Sequence, residues 1–390
     1  MGRTYDVILI GAGIMGASSA LEVAKRGLKV AVVDKTYVGH GPTGQSSAII
    51  RQHYSNELTA RMALYSLRVF QEFGERVGDE CGFRRTGFVA LVEAKDRAGL
   101  EANVALQRRV GIRTEILSAE ALSELLPRME TTDLLAAAWE PDSGYADPYL
   151  TVNAYAAAAR RLGAEVFQNT EVVGVRFRGG RVAGVETTAG RLDAPRVVNC
   201  AGAWGARVAR MAGVEVPINS CRVQVAYFRR PAGHGVHPVV VDFVNASYFR
   251  SEGDDLTLAG LVDPAEADAV VDPDRYGEHV DFDFVSDVGK RLVRRYPAME
   301  GGESTGGYAS LYAVTPDWHP VIDQVPSGSG FFVCSGFSGH GFKLGPAVGV
   351  MLADLVTGES TPELDPRPFR LARFAEDDPV RGQYEYSIVG

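Results

Sequence analysis

The sequence predicts an α/β fold in which a doubly wound parallel sheet is interleaved with an α+β part built on an antiparallel sheet. Three observations carry that expectation. A buried-strand pattern over residues 5–10 runs into a glycine turn and then a helix. Strand and helix patterns alternate again over 164–215 and after 331. Between those stretches the apolar runs 217–228, 236–248 and 256–261 follow one another with short polar breaks, as in an antiparallel sheet.

At 390 residues the chain has room for two or three domains. It carries 40 Lys and Arg against 49 Asp and Glu, a net charge of −9, which argues against a nucleic-acid surface. The four cysteines, Cys81, Cys200, Cys221 and Cys334, lie far apart and read as buried thiols, not as a disulfide framework or a zinc cluster. The seven histidines form no HExxH pattern, so no metal is expected. The N-terminus enters a strand directly and no run of about 18 apolar residues follows, so the expectation is a cytoplasmic chain with no membrane contact.

Residues 5–10 suit a strand covered on both faces, and they end in Gly11-Ala12-Gly13-Ile14-Met15-Gly16. The spacing has a physical reason. Gly11 permits the tight turn, Gly13 lets a pyrophosphate approach the N–H groups at the helix start, and Gly16 lets helix and strand pack closely. Residues 17–26 are good helix formers closed by Gly27. A second buried run, 29–33, ends at Asp34, placed to accept from an adenosine ribose, with Lys35 beside it. Together these read as a dinucleotide site, the alternative being a structural turn with a coincidental Asp34. The polar loop 39–47 suggests a ligand extending beyond the nucleotide, as FAD does.

Residues 58–77 have helical spacing throughout and predict one long helix. A strand over 85–92, a helix over 97–110 and a short helix stopped by Pro127 then read as a separate module. Asp147-Pro148 supplies a cap and first-turn proline for a helix over 149–162. Gly179-Gly180 joins two strands, and the strand 196–198 ends in Asn199-Cys200-Ala201-Gly202-Ala203-Trp204. Gly202 there is either a second cofactor contact or a plain turn. A helix is expected over 277–296. The strand 331–334 leads through a glycine-rich run, 335–343, into a helix to about 355, aiming backbone donors at negative charge. These pieces divide the chain into a cofactor part (1–80, 150–215, 315–365), a substrate part (81–149, 216–314) and a tail (366–390).

The motifs DVILIGAGIMG at 6–16, SSAIIRQHY at 46–54, VVNCAGAW at 197–204, LYAVTPDWHPVID at 311–323 and GFSGHGFKLGPAVG at 336–349 occur in that order. On them the chain resembles the glycine oxidase, sarcosine oxidase and D-amino-acid oxidase group of flavoproteins. It is most similar to sarcosine oxidases, including beta subunits of multimeric members, and to related secondary-amine dehydrogenases. The resemblance implies a glutathione-reductase-like FAD-binding domain. FAD would lie with its pyrophosphate at Gly11, Gly13 and Gly16, Ile14 and Met15 between them, and its ribose at Asp34 next to Lys35. Ser46, Ser47 and Ala48 would run near the flavin, with Val173, Ala201, Gly202 and Trp204 along the cofactor. Gly336, Gly339, His340, Gly341, Phe342 and Lys343 would close its other end. Arg51 matches a substrate-carboxylate arginine, Lys343 a lysine sharing that carboxylate, Tyr312 a tyrosine over the substrate and Tyr248 a mobile gating tyrosine. His53 is a candidate for the pocket wall.

The residue chemistry agrees, because an amino-acid carboxylate needs a cationic clamp, and an arginine fork with a lysine at a helix start supplies one. Taken singly, Arg51 and Lys343 also read as solvated cations and Tyr312 as a core aromatic. Two departures stand out. Ser310 occupies the position of a flavin-linking cysteine, so FAD is expected to be noncovalent, with His40 the weak candidate for any other attachment. Thr257 is read in place of a lysine tied to the oxygen reaction, which leaves room for a dehydrogenase. The implied activity is oxidation of a small secondary amino acid, such as sarcosine or proline, by hydride transfer from the carbon beside nitrogen to flavin N5, followed by imine hydrolysis. Oxygen or an electron carrier would accept the electrons, with room for a partner subunit. The alternatives are a 2-hydroxy-acid dehydrogenase, an FAD-binding subunit without its own activity, and a nicotinamide enzyme.

Overall fold

The computed structural model describes residues 3–382, and two large sheets organise them. Among the described residues the first has six strands in the order Val321–Gln324, Phe331–Ser335, Val197–Asn199, Val7–Ile10, Val30–Val33 and Glu165–Phe167. All pairings are parallel except that of the Val321–Gln324 edge. The four inner strands bury both faces, as their apolar runs require. Val7 and Leu9 pack into the core of the helices Ile14–Lys25, Glu57–Gln71, Pro148–Arg161 and Gly341–Thr357. Ile8 and Ile10 point the other way. There the cover is the helix Gly205–Met211 and a small sheet containing Val172–Arg178, Arg181–Thr187 and Gly190–Asp193.

Among the described residues the second sheet has eight strands, in the order Glu303–Val314, Asn219–Arg229, Leu256–Leu261, Ser247–Glu252, Val239–Asp242, Phe88–Val92, Ala136–Glu140 and Glu115–Ser118. It corrects two expectations. The stretch 85–127 is not a separate module, because its strands Phe88–Val92 and Glu115–Ser118 belong to this sheet. The sheet is also mixed, since Phe88–Val92 joins Val239–Asp242 in parallel. The helix Phe282–Arg295 covers one face through Val288 and Leu292. The opposite face carries Val225, Tyr248 and Leu258 together with Ile49 and Tyr145, so it packs against the 46–50 segment of the cofactor part.

Three further elements differ from the sequence reading. The helix over 58–77 breaks at Glu72 into Glu57–Gln71 and Phe73–Val77. The strand over 236–248 splits, because Asp242 accepts from the amides of Val244 and Asn245 and turns the chain. The helix expected from 277 starts only at Phe282, and the preceding residues are pinned by side-chain contacts. Asp147 does cap Pro148–Arg161, accepting from Leu150 N at 2.8 Å. All four cysteines are buried and free. Part of the expected tail, 383–390, lies outside the described residues. Among the described residues no helix is long and apolar enough to cross a membrane.

Candidate active site

A cavity opens at the carboxyl ends of the central parallel strands and reaches the face of the eight-stranded sheet that bears Tyr248 and Tyr312. Such an edge is where open α/β sheets receive ligands. The glycine turn is tightly built. Gly11 has φ +105°, and a Cβ on it would stand 2.5 Å from the Cys200 carbonyl oxygen. A Cβ on Gly16 would stand 1.9 Å from the Gly11 oxygen, so any side chain would drive helix and turn apart. The loop 39–47 folds back on the helix start, where Ile14 N donates to Thr43 Oγ1 at 3.0 Å. Asp34 accepts from Ala12 N at 2.7 Å and from Thr36 N and Oγ1 at 2.8 and 2.9 Å. Two carboxylate oxygens offer about four lone-pair sites, so one stays open on the cavity wall.

At the Asp34 end, Lys35, Trp204, Arg207 and Asp274 also line the cavity. Asp274 Oδ1 accepts from Lys35 Nζ at 2.6 Å and Trp204 Nε1 at 2.7 Å, and Oδ2 accepts from Arg207 at 2.5 Å. Arg207 also reaches Asp272 at 2.6 Å. The segment before Phe282 is thereby tied across the cavity.

The far end is built from Ser46, Ser47, Tyr248, Tyr312, Gly339 and Phe342. Burial pushes both tyrosine hydroxyls well above their ordinary value. The Tyr312 ring lies against Gly339, where a Cβ would come within 2.9 Å. Arg51 and Lys343 are buried beside this end, only 5% and 8% exposed. The Arg51 guanidinium sits over the Tyr54 ring, 4.5 Å from its centroid, and donates to the His53 carbonyl. Tyr54 Oη lies 3.2 Å from His340 Nδ1. Burial, followed by the charge of Arg51, drives the Lys343 ammonium well below its usual range. His340 is likewise held neutral by burial and by Lys343 and Arg51. Neither Arg51 nor Lys343 forms a direct ion pair among the described residues, and a buried arginine beside a buried amine favours an anionic ligand.

The profile of the FAD dependent oxidoreductase family matches residues 6–355. The chain belongs to that family. Human mitochondrial sarcosine dehydrogenase is 29% identical over 381 residues, which cover 95% of this chain and 41% of that protein. The chain thus spans about two fifths of that relative's length. The sarcosine oxidase beta subunit of Rhodobacter capsulatus is 26% identical, over 96% of this chain and 89% of its own length. The crystal structure of L-proline dehydrogenase from P. horikoshii superposes with a TM-score of 0.90 at 28% identity, covering 97% of this chain and all of that one.

FAD is therefore the cofactor, and the residues present fit it: the turn rejects any side chain, the helix start faces the cavity, and the cavity continues past the nucleotide end to the tyrosines. Of the residues expected around this flavin, Gly11, Gly13, Ile14, Met15, Asp34, Lys35, Ser46 and Ser47 line the cavity. So do Ala201, Gly202, Trp204, Tyr248, Tyr312, Gly336, Gly339, Gly341 and Phe342. Gly16, Ala48, His340, Arg51 and Lys343 stand behind that wall, all buried. Ser310 lines the cavity and donates to Gln45 Oε1 at 3.0 Å, and His40 lines it as well.

Three expectations are corrected. Val173 is 53% exposed, and its neighbour Val172 lines the cavity instead, because alternation along the strand turns Val173 outward. His53 does not line the cavity; its ring turns toward the helix Arg97–Val110, with Nε2 3.1 Å from Asn103 Nδ2 and Nδ1 3.1 Å from Gln107 Nε2. Thr257 lies on the opposite face of its strand from Leu258, where His237 Nε2 is 2.9 Å from its hydroxyl, so it cannot stand in for a residue beside the flavin. The buried cation near that side is Arg250, which donates to the Ser47 carbonyl at 2.5 Å. Asp274, Arg207, Thr43 and Glu140 were not singled out from sequence. Only the Asp272-Pro273-Asp274 turn, between the strand Leu256–Leu261 and the helix Phe282–Arg295, offered a signal.

Proposed function

We propose that the chain oxidises a small secondary amino acid, an N-methylamino acid such as sarcosine first and a cyclic one such as proline second. The observation that carries this reading is the pair of buried basic side chains, Arg51 and Lys343, beside the tyrosine-lined end of the cavity. FAD, when bound, supplies the hydride acceptor. Arg51 contributes a planar fork, already oriented by the His53 carbonyl and the Tyr54 ring, to hold the substrate carboxylate. Lys343, held well below its usual range by burial and by the charge of Arg51, adds an amine donor to the same carboxylate. Tyr312 and Tyr248 keep their protons and wall the reacting carbon off from water. The Arg51 charge favours a neutral substrate amine, the form able to give up hydride equivalents.

The test is anaerobic addition of sarcosine, proline, glycine and 2-hydroxyglutarate to the purified holoprotein while the flavin band is recorded. Bleaching by a secondary amine is expected. Bleaching by the hydroxy acid alone would move the reading to a 2-hydroxy-acid dehydrogenase, and no bleaching at all would favour an FAD-binding subunit. Arg51→Ala and Lys343→Ala should each raise the half-reducing substrate concentration about 10–100-fold, the scale of a lost charge-assisted hydrogen bond. Reoxidation in air, against reoxidation by an artificial electron carrier, then separates oxidase from dehydrogenase.

A further inference from the structure

Behind Arg51 lies a buried polar cluster that the reaction as described does not use. Glu140, at the end of the strand Ala136–Glu140, is fully buried. Its Oε2 accepts from Gln52 N at 2.9 Å and from Ser143 Oγ at 2.8 Å. Its Oε1 faces His53 Nδ1 at 3.7 Å. The His53 ring is gripped in turn by Asn103 and Gln107, and the His53 carbonyl receives the Arg51 guanidinium. A continuous set of contacts therefore runs from the Glu140 carboxylate through the Gln52–His53 backbone to the clamp arginine.

The charges facing Glu140 can be named from every element around it. Arg51 and Tyr54 follow the short strand Ile49–Ile50, and His53 lies between them. Helix Arg97–Val110 presents only the amides Asn103 and Gln107, and Ser143 comes from the following turn. His53 is kept neutral, pushed down to about 3 by burial and then by Arg51, so it provides no charge near neutral pH. Arg51 is thus the facing cation, and no direct ion pair joins it to Glu140.

We propose that Glu140 is a positioning residue whose carboxylate balances Arg51 in the empty site and takes up a proton from solvent when a substrate carboxylate binds. The inference rests on the clamp reading above. Both anions compete for one arginine's field, so binding the first favours neutralising the second. The position of Glu140 on the pH scale makes the exchange accessible. Burial pushes its carboxyl up to about 7, against the hydrogen bonds from Gln52 and Ser143 and the charge of Arg51. Above that pH a bound carboxylate must be accompanied by a proton, and its affinity falls as pH rises. Lys343 is the competing acceptor of that proton.

The test uses propionate, a carboxylate without an amine, bound to the FAD-loaded protein and followed by the flavin absorbance change and by calorimetry in two buffers of different ionisation enthalpy. Proton uptake approaching one per propionate is expected at pH 8. The dissociation constant should rise by up to about tenfold per pH unit above 7 in the wild type. Glu140→Gln should flatten that rise and abolish most of the uptake. Ser143→Ala, which removes a hydrogen bond to the carboxylate, should move the inflection to higher pH and serves if Glu140→Gln does not fold. Zero uptake in the wild type, uptake unchanged in Glu140→Gln, or an unmoved inflection in Ser143→Ala would overturn the proposal. Propionate binding that is indifferent to Arg51→Ala would instead overturn the clamp reading itself.

Discussion

Lys343 and Glu140 carry opposite charges, and burial moves both toward neutrality. For stability the sign is fixed by which state holds the proton. The unfolded carboxyl of Glu140 ionises near 4.5 and the folded one near 7, so between those values the folded chain binds more protons. Stability from this group is therefore lost as pH rises from about 4.5 to 7, and is constant above. Glu140→Gln should become progressively more stable relative to wild type across that window, measured by urea unfolding at pH 5, 6 and 7.5. A constant difference would show that the group titrates alike in both states. At this scale the sequence was read unevenly. Arg51 and Lys343 were legible because each sits in an ordered motif. Glu140 was not, because nothing in Ala136–Glu140 marks one acid as buried beneath a loop 88 residues earlier. Val173 was misassigned by one position, the error to which an alternating strand is most sensitive.

Elements were legible wherever a local rule decided them. The turn from Gly11 to Gly16 is fixed by sterics, and the Asp147 cap by a carboxylate three residues before the amide that donates to it. Removing that cap should cost about 1 kcal/mol. Asp147→Ala is therefore expected to lower the unfolding midpoint by a few degrees without changing the flavin spectrum, and an unchanged midpoint would show that Pro148 alone sets the helix start. Gly16→Ala is expected to be far more severe, because its Cβ would overlap the Gly11 oxygen at 1.9 Å. The expected outcome is a colourless or insoluble protein. Elements that depend on distant partners were not legible. The break at Glu72 and the delayed start at Phe282 have no strong local signal, and the parallel junction of Phe88–Val92 with Val239–Asp242 joins strands some 150 residues apart. Periodicity reports what a segment buries, not which segment it meets.

Across the whole molecule the contact that joins the two sheets' territories at the nucleotide end is ionic. Asp272 and Asp274, from the connection leading to Phe282–Arg295, meet Lys35 and Arg207 of the cofactor part. These side chains are a third to a half exposed, so salt should weaken them. FAD release, followed by the rise of free-flavin fluorescence after dilution, should quicken with ionic strength and quicken further in Asp274→Asn. A rate indifferent to both would show that this tie does not hold the cofactor.

The position of the helix Gly341–Thr357 adds a constraint of timing. It packs on both Ile14–Lys25 and Glu57–Gln71, and its first turn closes the flavin end of the cavity, yet it is made some 325 residues after the glycine turn it completes. A chain still emerging from the ribosome can hold the nucleotide-facing turn but lacks the last wall of the pocket. Stable capture of FAD therefore waits until synthesis has passed residue 357, and a nascent chain stalled short of it should bleed flavin that the released chain retains.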